Sequence, residues 1–121
     1  MAAGFAAATL LTGNTTARAQ GKGRTGKFSG RSNHVTTGKA ELTASSVVLF
    51  NDFSLDGAPD ARVGLGRNGK YDAGTDLGAL KNLKGKQSYR VKNGVNVSNY
   101  NEIYIWCRKF NVPLGVAKLG N

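Results

Sequence analysis

Cysteine and histidine are almost absent from this sequence of 121 residues, which contains one of each, Cys107 and His34. A single cysteine excludes a disulfide bond within the chain. The sequence also lacks a Gly-x-Ser-x-Gly elbow, a phosphate-binding loop and a His-Glu-x-x-His motif. Hydrolase, kinase and nucleotide-dependent chemistry is therefore not expected, and the chain is more typical of a non-catalytic protein than of an enzyme.

Long apolar runs are missing as well. The stretch MAAGFAAATLLTG has roughly ten apolar residues, against the ~20 of a membrane-spanning helix, so no transmembrane span is predicted. With the small-residue site ARAQ, it is typical of a signal-peptide-like leader over residues 1–19. A leader predicts export, to the periplasm, the thylakoid lumen or the extracellular space. Because no positive charge precedes the apolar core, we expect the true start upstream of Met1; the alternative is a disordered Ala-rich tail or a cloning artefact.

Acidic residues are scarce, with 7 against 17 lysines and arginines, and the formal net charge is +10. Residues 20–33 contain Lys22, Arg24, Lys27 and Arg31 but no acid, and they are rich in Gly and Ser. This composition predicts a flexible basic arm. An anionic membrane, a cell-wall polymer or an acidic protein would suit it, and a purely solubilising role is the alternative. Nucleic acid is not an expected partner, because of export and because interleaved aromatic residues for base stacking are missing.

Turn signals divide the rest of the chain into short strands. The pairs Asp56-Gly57, Asn68-Gly69 and Asn93-Gly94 suit tight turns with positive φ. No helical period is present between them. The pattern predicts one all-β domain over residues 28–121, an antiparallel β-sandwich or small barrel. We expect its core to contain Val48, Phe50, Phe53, Leu65, Leu80, Tyr89, Ile103, Ile105, Phe110, Val112 and Leu114.

Cys107 ends the strand EIYIWC, in which side chains alternate between two faces. A period of two places Ile103, Ile105 and Cys107 on one face. Tyr104 and Trp106 then lie on the other. The aliphatic face belongs in the core, so Cys107 should point inward at the end of its strand. Free cysteine is often a small buried apolar side chain, and that interpretation stays open beside a reactive thiol.

Four stretches resemble a known family when taken in order: FSGRSNHVTTGKAEL, LFNDFSLDGAPDARVGL, DLGALKNLKGKQSYRV and YNEIYIWCRKFNVPLGVAKL. Over residues 26–119 the chain resembles a DM13 domain, found alone in bacterial exported proteins and beside DOMON domains in animals. The resemblance implies an all-β domain with a role in electron transfer or redox chemistry outside the cytoplasm. It places the family's Trp-Cys motif on Trp106 and Cys107. Ala61 and Leu114 depart from the usual pattern, where larger residues are common, and both changes concern packing.

The resemblance also bears on partners and cofactors. No DOMON domain occurs within these 121 residues, so a redox partner is expected to be a separate protein, which could be membrane-associated. The cofactor stays open, and haem or a metal bound together with a partner is one possibility. A single thiol cannot cycle as an internal disulfide. For redox chemistry it must therefore bind a metal or haem, form a mixed disulfide, or be oxidised to a sulfenate.

The candidate redox site consists of Cys107 and Trp106, with His34 as a third candidate. Redox chemistry needs a thiolate, which the positive charges of Arg108 and Lys109 would favour. A lone histidine is more often structural, but a Cys-His pair can activate a thiol or hold a soft metal. No metal site is predicted from these residues alone.

Several other residues of the resembling stretches are expected to be structural. They are Pro59, Asp60, Phe110 and Gly115, with Asp60 expected to make a hydrogen bond or support the site. Gly64 and Gly115, inside strand patterns, predict bulges or close approach of another group to the backbone. The aspartates of the loops NDFSLDGAPD and YDAGTD could bind a hard cation, but their spacing matches no EF-hand, and turn capping is the alternative interpretation.

Two functions remain. The first is an exported redox or electron-transfer accessory domain centred on Cys107. The second is a non-catalytic binding or assembly module that docks on an anionic surface or an acidic protein through its basic arm.

Overall fold

The structure is a computed structural model that describes residues 23–120. The leader predicted over residues 1–19 and the start of the arm, residues 20–22, lie outside the described residues. The described residues form ten strands, β1 (Arg24–Gly30), β2 (Thr36–Thr37), β3 (Lys39–Leu42), β4 (Ser46–Leu49), β5 (Ser54–Leu55), β6 (Ala61–Arg67), β7 (Lys70–Asp72), β8 (Gln87–Arg90), β9 (Glu102–Cys107) and β10 (Val112–Lys118). Two one-turn 3₁₀ helices cover Ala73–Thr75 and Val97–Asn99. Within the described residues no helix has the length and hydropathy to span a membrane.

Eight of the strands form one antiparallel sheet in the order β7-β6-β9-β10-β1-β3-β4-β8, and β2 and β5 form a separate two-stranded ribbon. The large sheet curls into a half-barrel. The all-β antiparallel class is therefore confirmed. The Asn68-Gly69 turn is also confirmed: both residues have positive φ, 53° and 88°, and they join β6 to β7 in a two-residue hairpin.

Strand β1 lies in the middle of the sheet, and it occupies half of the predicted arm. Its first half pairs with β3, and its second half, from Phe28, pairs with β10. Arg24 donates from its guanidinium to the carbonyl oxygens of Tyr100 and Val97, at 2.8 and 2.9 Å. The prediction of a flexible arm over residues 20–33 is therefore wrong for residues 24–30. Two neighbouring strands satisfy its backbone groups, which a composition rich in Gly, Ser and Lys does not reveal.

The core lies on the inner face of the curled sheet. Of the predicted core residues, six are buried: Phe53, Leu65, Tyr89, Ile103, Ile105 and Leu114. Leu80 and Val112 are partly buried and pack against the core.

The remaining core predictions are wrong. In β4, Val47 and Leu49 are fully buried, whereas Val48 and the following Phe50 are not. The sequence SVVLF is apolar at both phases of a period of two, so alternation could not choose between them. Pairing with β3 determines which residues of β4 face the core, because it sets Val47 opposite the buried Leu42.

Candidate functional site

Cys107 is the last residue of β9, and its side chain is in the core. It pairs with Ala61 of β6 and Val112 of β10, and only 1% of it is exposed. Its Sγ donates a hydrogen bond to the carbonyl oxygen of Pro59, at 3.1 Å. The inward orientation predicted from alternation is confirmed. The thiol lies directly beneath the loop of residues 56–60, which we call the cover loop.

The cover loop is attached to its surroundings at both ends. At its start, Asp56 accepts hydrogen bonds from the ring of His34, at 2.9 Å, and from the backbone N–H of Val35, at 3.0 Å. At its end, the Asp60 carboxylate accepts from Nε of Arg108, at 2.8 Å, and its carbonyl accepts from the Arg108 backbone N–H, at 3.1 Å. Asp60 therefore has the structural hydrogen bonds that we expected of it.

His34 and Cys107 both contact the cover loop, but at different residues. The imidazole binds Asp56 and the thiol binds Pro59, and no hydrogen bond joins the two within the described residues. The backbone hydrogen bond from Val35, followed by the hydrogen bond from His34, lowers the pKa of Asp56 below its ordinary value. The structure thus gives His34 a role in holding the loop and shows no Cys-His pair.

The positive charges next to the thiol have partners of their own. The guanidinium of Arg108 is bound to Asp60, and this hydrogen bond raises the pKa of Arg108. The ammonium of Lys109 lies 5.7 Å from the centre of the Phe110 ring. Phe110 is 62% exposed, so its predicted place in the core is wrong. The tight turn from β9 to β10, where Asn111 has φ 57°, carries the Phe110 side chain outward.

Trp106 lies on the opposite face of β9 from Cys107, in a cluster of three aromatic rings. Its ring stacks on that of Tyr71, with centroids 4.3 Å apart and planes 12° apart. The Tyr104 ring meets both at steep angles, with centroids 5.5 Å from Tyr71 and 6.1 Å from Trp106. Gly64 makes room for the cluster, because a Cβ there would lie 2.6 Å from Cε1 of Tyr71. The predicted close approach at Gly64 is confirmed.

An open groove of about 880 Å³ lies beside this cluster. We call it the outer groove. Its walls include the three rings of the cluster, and its other side chains include Arg31, Lys70, Lys118 and Glu102. Burial raises the pKa of Tyr71 and of Tyr104 to about 12, with nearby carboxylates adding to the effect. Alternation along β9 had placed Tyr104 on the same face as Trp106 but gave it no part in a site, and nothing in the local sequence pointed to Tyr71.

The comparisons with known proteins give one match. The DM13 family, described as electron transfer DM13, matches residues 27–119. The chain belongs to the DM13 family. No curated protein and no solved structure matches it. The match covers most of the chain and confirms the resemblance seen in the sequence, so this DM13 domain is a member of a family connected with electron transfer.

In this DM13 domain, the two residues of the Trp-Cys motif do not touch the same surroundings. The thiol of Cys107 faces the core and the cover loop, whereas the indole of Trp106 faces the outer groove. Gly115, on β10, is packed against Thr36, whose side chain would lie 2.6 Å from an added Cβ. Close approach predicted at Gly115 is confirmed.

The side chains that commonly bind metal ions do not cluster among the described residues. Within residues 23–120 no three His, Cys, Asp or Glu side chains form a group that could hold a metal ion. The loop aspartates accept backbone N–H groups, as Asp52 does from Lys39, at 2.9 Å, and Asp72 from Gly74, at 2.8 Å. These contacts are those of turn and strand capping.

Proposed function

We propose that this chain is an exported accessory domain of electron transfer, and that the thiol of Cys107 is its reactive group. The family supports the general role. The position of the thiol carries the specific one: Sγ donates its hydrogen bond to the carbonyl oxygen of Pro59, an exposed residue of the cover loop, and not to a group deeper in the core. Movement of the cover loop alone would uncover it. A separate redox protein, soluble or membrane-associated, would be the partner.

The step that we propose is thiol–disulfide exchange with this partner. Cys107 loses its proton to solvent, and the thiolate attacks one sulfur of a disulfide in the partner. A new sulfur–sulfur bond forms to Cys107 while the partner's bond breaks, and its second sulfur leaves as a thiolate. The partner disulfide is the oxidant, so one mixed disulfide forms and electrons balance. The 1% exposure of Cys107 means that the loop must open first.

Alkylation of Cys107 in the native protein tests this function. The ratio of the alkylation rate in denaturant to the rate in the native state measures the free energy of opening. We expect an opening free energy several kcal/mol below the global free energy of unfolding, since only the loop needs to move. If the two free energies are equal, the thiol is reached only by unfolding and the redox function fails.

A variant of the loop sharpens this test. Asp60→Asn removes the ion pair with Arg108, and asparagine tolerates the positive φ of 54° at this position. An exposed ion pair contributes up to about 1 kcal/mol, so alkylation should become roughly two- to fivefold faster. Tyr100→Phe is the matched control, because it removes a carboxylate hydrogen bond, to Asp72, away from the cover loop. Cys107→Ser should cost ~1–2 kcal/mol of stability and abolish exchange.

The burial of Cys107 and the excess of basic residues favour a second candidate function. A non-catalytic module that docks on an anionic surface needs no accessible thiol, and the chain has 17 basic against 7 acidic residues. Alkylation of Cys107 only after denaturation, together with full binding activity of Cys107→Ala, would favour this module.

Export belongs to both proposals. Sequencing the N-terminus of the mature protein tests it, and a start at Gln20 is expected.

A further inference from the structure

The outer groove lies on the face of the sheet opposite Cys107, and the proposed thiol exchange does not use it. It combines two kinds of surface. Its apolar part is the stacked pair of Tyr71 and Trp106, with Tyr104 beneath them. Its charged part is formed by Arg31, Lys70 and Lys118.

We propose that the outer groove binds a small planar aromatic anion. Ring faces of tyrosine and tryptophan bind other planar rings by stacking, and the cations beside them bind phosphate or carboxylate groups. Each half of such a ligand therefore has a matching surface. The inference goes beyond the proposed function and does not depend on Cys107.

The charges in the groove favour an anion. Among the described residues, neither Lys70 nor Lys118 takes part in a salt bridge. Glu102 is the single carboxylate among the residues that line the groove, and it is 4% exposed. Both of its oxygens accept a hydrogen bond from the backbone N–H of Gly69, at 3.0 Å. The two lysines and Arg31 therefore outweigh it.

The polar groups of the groove favour an aromatic ring over a sugar. Sugar hydroxyls are usually held by amide and carboxylate side chains that have hydrogen-bonding groups to spare. Here Asn101 donates to the side chain of Asn68, at 2.8 Å, and accepts from its backbone N–H, at 3.0 Å. Glu102 is bound to Gly69. The side-chain oxygens of Asn68, Asn101 and Glu102 therefore already accept hydrogen bonds, so the groove offers a ligand mainly aromatic rings, cations and N–H donors, which suit an anion better than a sugar hydroxyl.

The fluorescence of Trp106 can report on binding, because it is the only tryptophan of the chain. The probe is flavin mononucleotide, a planar ring system with a phosphate, titrated into the full chain at about 50 mM salt, where charges are weakly screened. Riboflavin, the same ring without the phosphate, is the matched neutral ligand. We expect flavin mononucleotide to quench Trp106 and to bind about tenfold more tightly than riboflavin.

Two double variants show whether the cations of the groove are responsible. Lys70→Gln with Lys118→Gln should weaken binding of flavin mononucleotide about tenfold and leave riboflavin almost unchanged. Lys84→Gln with Lys86→Gln removes the same charge from exposed positions that do not line the groove, and it should change neither affinity by more than about twofold.

Four results would overturn the proposal. The first is no quenching of Trp106 by either flavin at millimolar concentration, and the second is equal affinity for the two flavins. The third is an equal loss of affinity in both double variants, which would show attraction to the whole charged surface. The fourth is tighter binding of polygalacturonate than of flavin mononucleotide, which would assign the groove to an acidic polysaccharide.

Discussion

At the scale of single residues, adjacent residues of a strand have different surroundings, because successive side chains point to opposite faces of the sheet. Trp106 and Cys107 are adjacent, yet one lines an open groove and the other is buried beneath a loop. The packing of the sheet also depends on a glycine, Gly115. Gly115 lies against Thr36, which is 2% exposed and donates its hydroxyl to the Leu114 carbonyl, at 2.8 Å.

Gly115→Ala should destabilise the protein by about 1–3 kcal/mol, because the added methyl group overpacks a buried contact. Its Cβ would lie 2.6 to 2.9 Å from three side-chain atoms of Thr36. Gly120→Ala is the control, since its Cβ would be 3.7 Å from its nearest neighbour, and it should change stability by less than about 0.5 kcal/mol. Denaturant unfolding measures both, and equal values would contradict the packing at Gly115.

The four tyrosines should lose their phenolic protons at a higher pH in the folded protein than in the unfolded chain. The pKa of each is raised, mainly by burial for Tyr71, Tyr89 and Tyr104 and by the hydrogen bond to Asp72 for Tyr100. In the unfolded chain the ordinary value of 10 applies, so the folded state keeps its phenolic protons longer. The stabilising effect is complete below pH 10 and is lost as the pH rises towards 12.

Absorbance at the tyrosinate band measures this difference. Native protein at a pH between 10 and 12 should contain much less tyrosinate than protein in denaturant at the same pH. The midpoint of unfolding should fall over this interval. Tyr104→Phe should reduce the fall, and native tyrosinate that forms with the ordinary pKa would show that the aromatic cluster is open to water.

At the scale of elements, β1 decides how the two halves of the sheet are joined. It lies between β10 and β3, and its one large apolar side chain, Phe28, is 7% exposed and packs edge-on against Phe53, with centroids 5.5 Å apart. A mobile arm would have none of these contacts.

Two substitutions within β1 test whether this segment is an ordered strand or a flexible arm. Phe28→Ala should cost about 3–5 kcal/mol of stability, as expected for loss of a buried aromatic side chain. Lys27→Ala, one residue earlier and exposed, should change stability by less than about 0.5 kcal/mol. Thermal unfolding compares the two, and an equally small effect of both would restore the flexible arm.

At the scale of the whole molecule, the positive charge is spread over the surface. Exposed lysines occur in the strands near the start, as Lys27 and Lys39 do, and in the loop before β8, as Lys84 and Lys86 do. Attraction to an anionic surface therefore depends on the net charge of +10 more than on one segment.

Binding to vesicles that contain anionic lipid should show this. Lys27→Gln with Lys39→Gln and Lys84→Gln with Lys86→Gln should weaken binding to a similar degree, about thirtyfold each, since each lysine near such a surface contributes about 1 kcal/mol and each variant removes two. Higher salt should reduce both differences. A loss confined to the first pair would place the attraction in the early basic segment after all.

The sequence alone determined the all-β class and the inward direction of Cys107, because alternation and turn residues such as Asn68-Gly69 act locally along the chain. It determined the family through four stretches that occur in the family's order. It also indicated close packing at Gly64 and Gly115. Only the tertiary structure decided which phase of β4 is buried, that residues 24–30 form a central strand, and that Phe110 points to solvent. It also brought Tyr71 to Trp106 and bound Arg108 to Asp60. These outcomes depend on pairing between residues far apart in the chain, and a local pattern contains no information about which distant strand or carboxylate satisfies a given group.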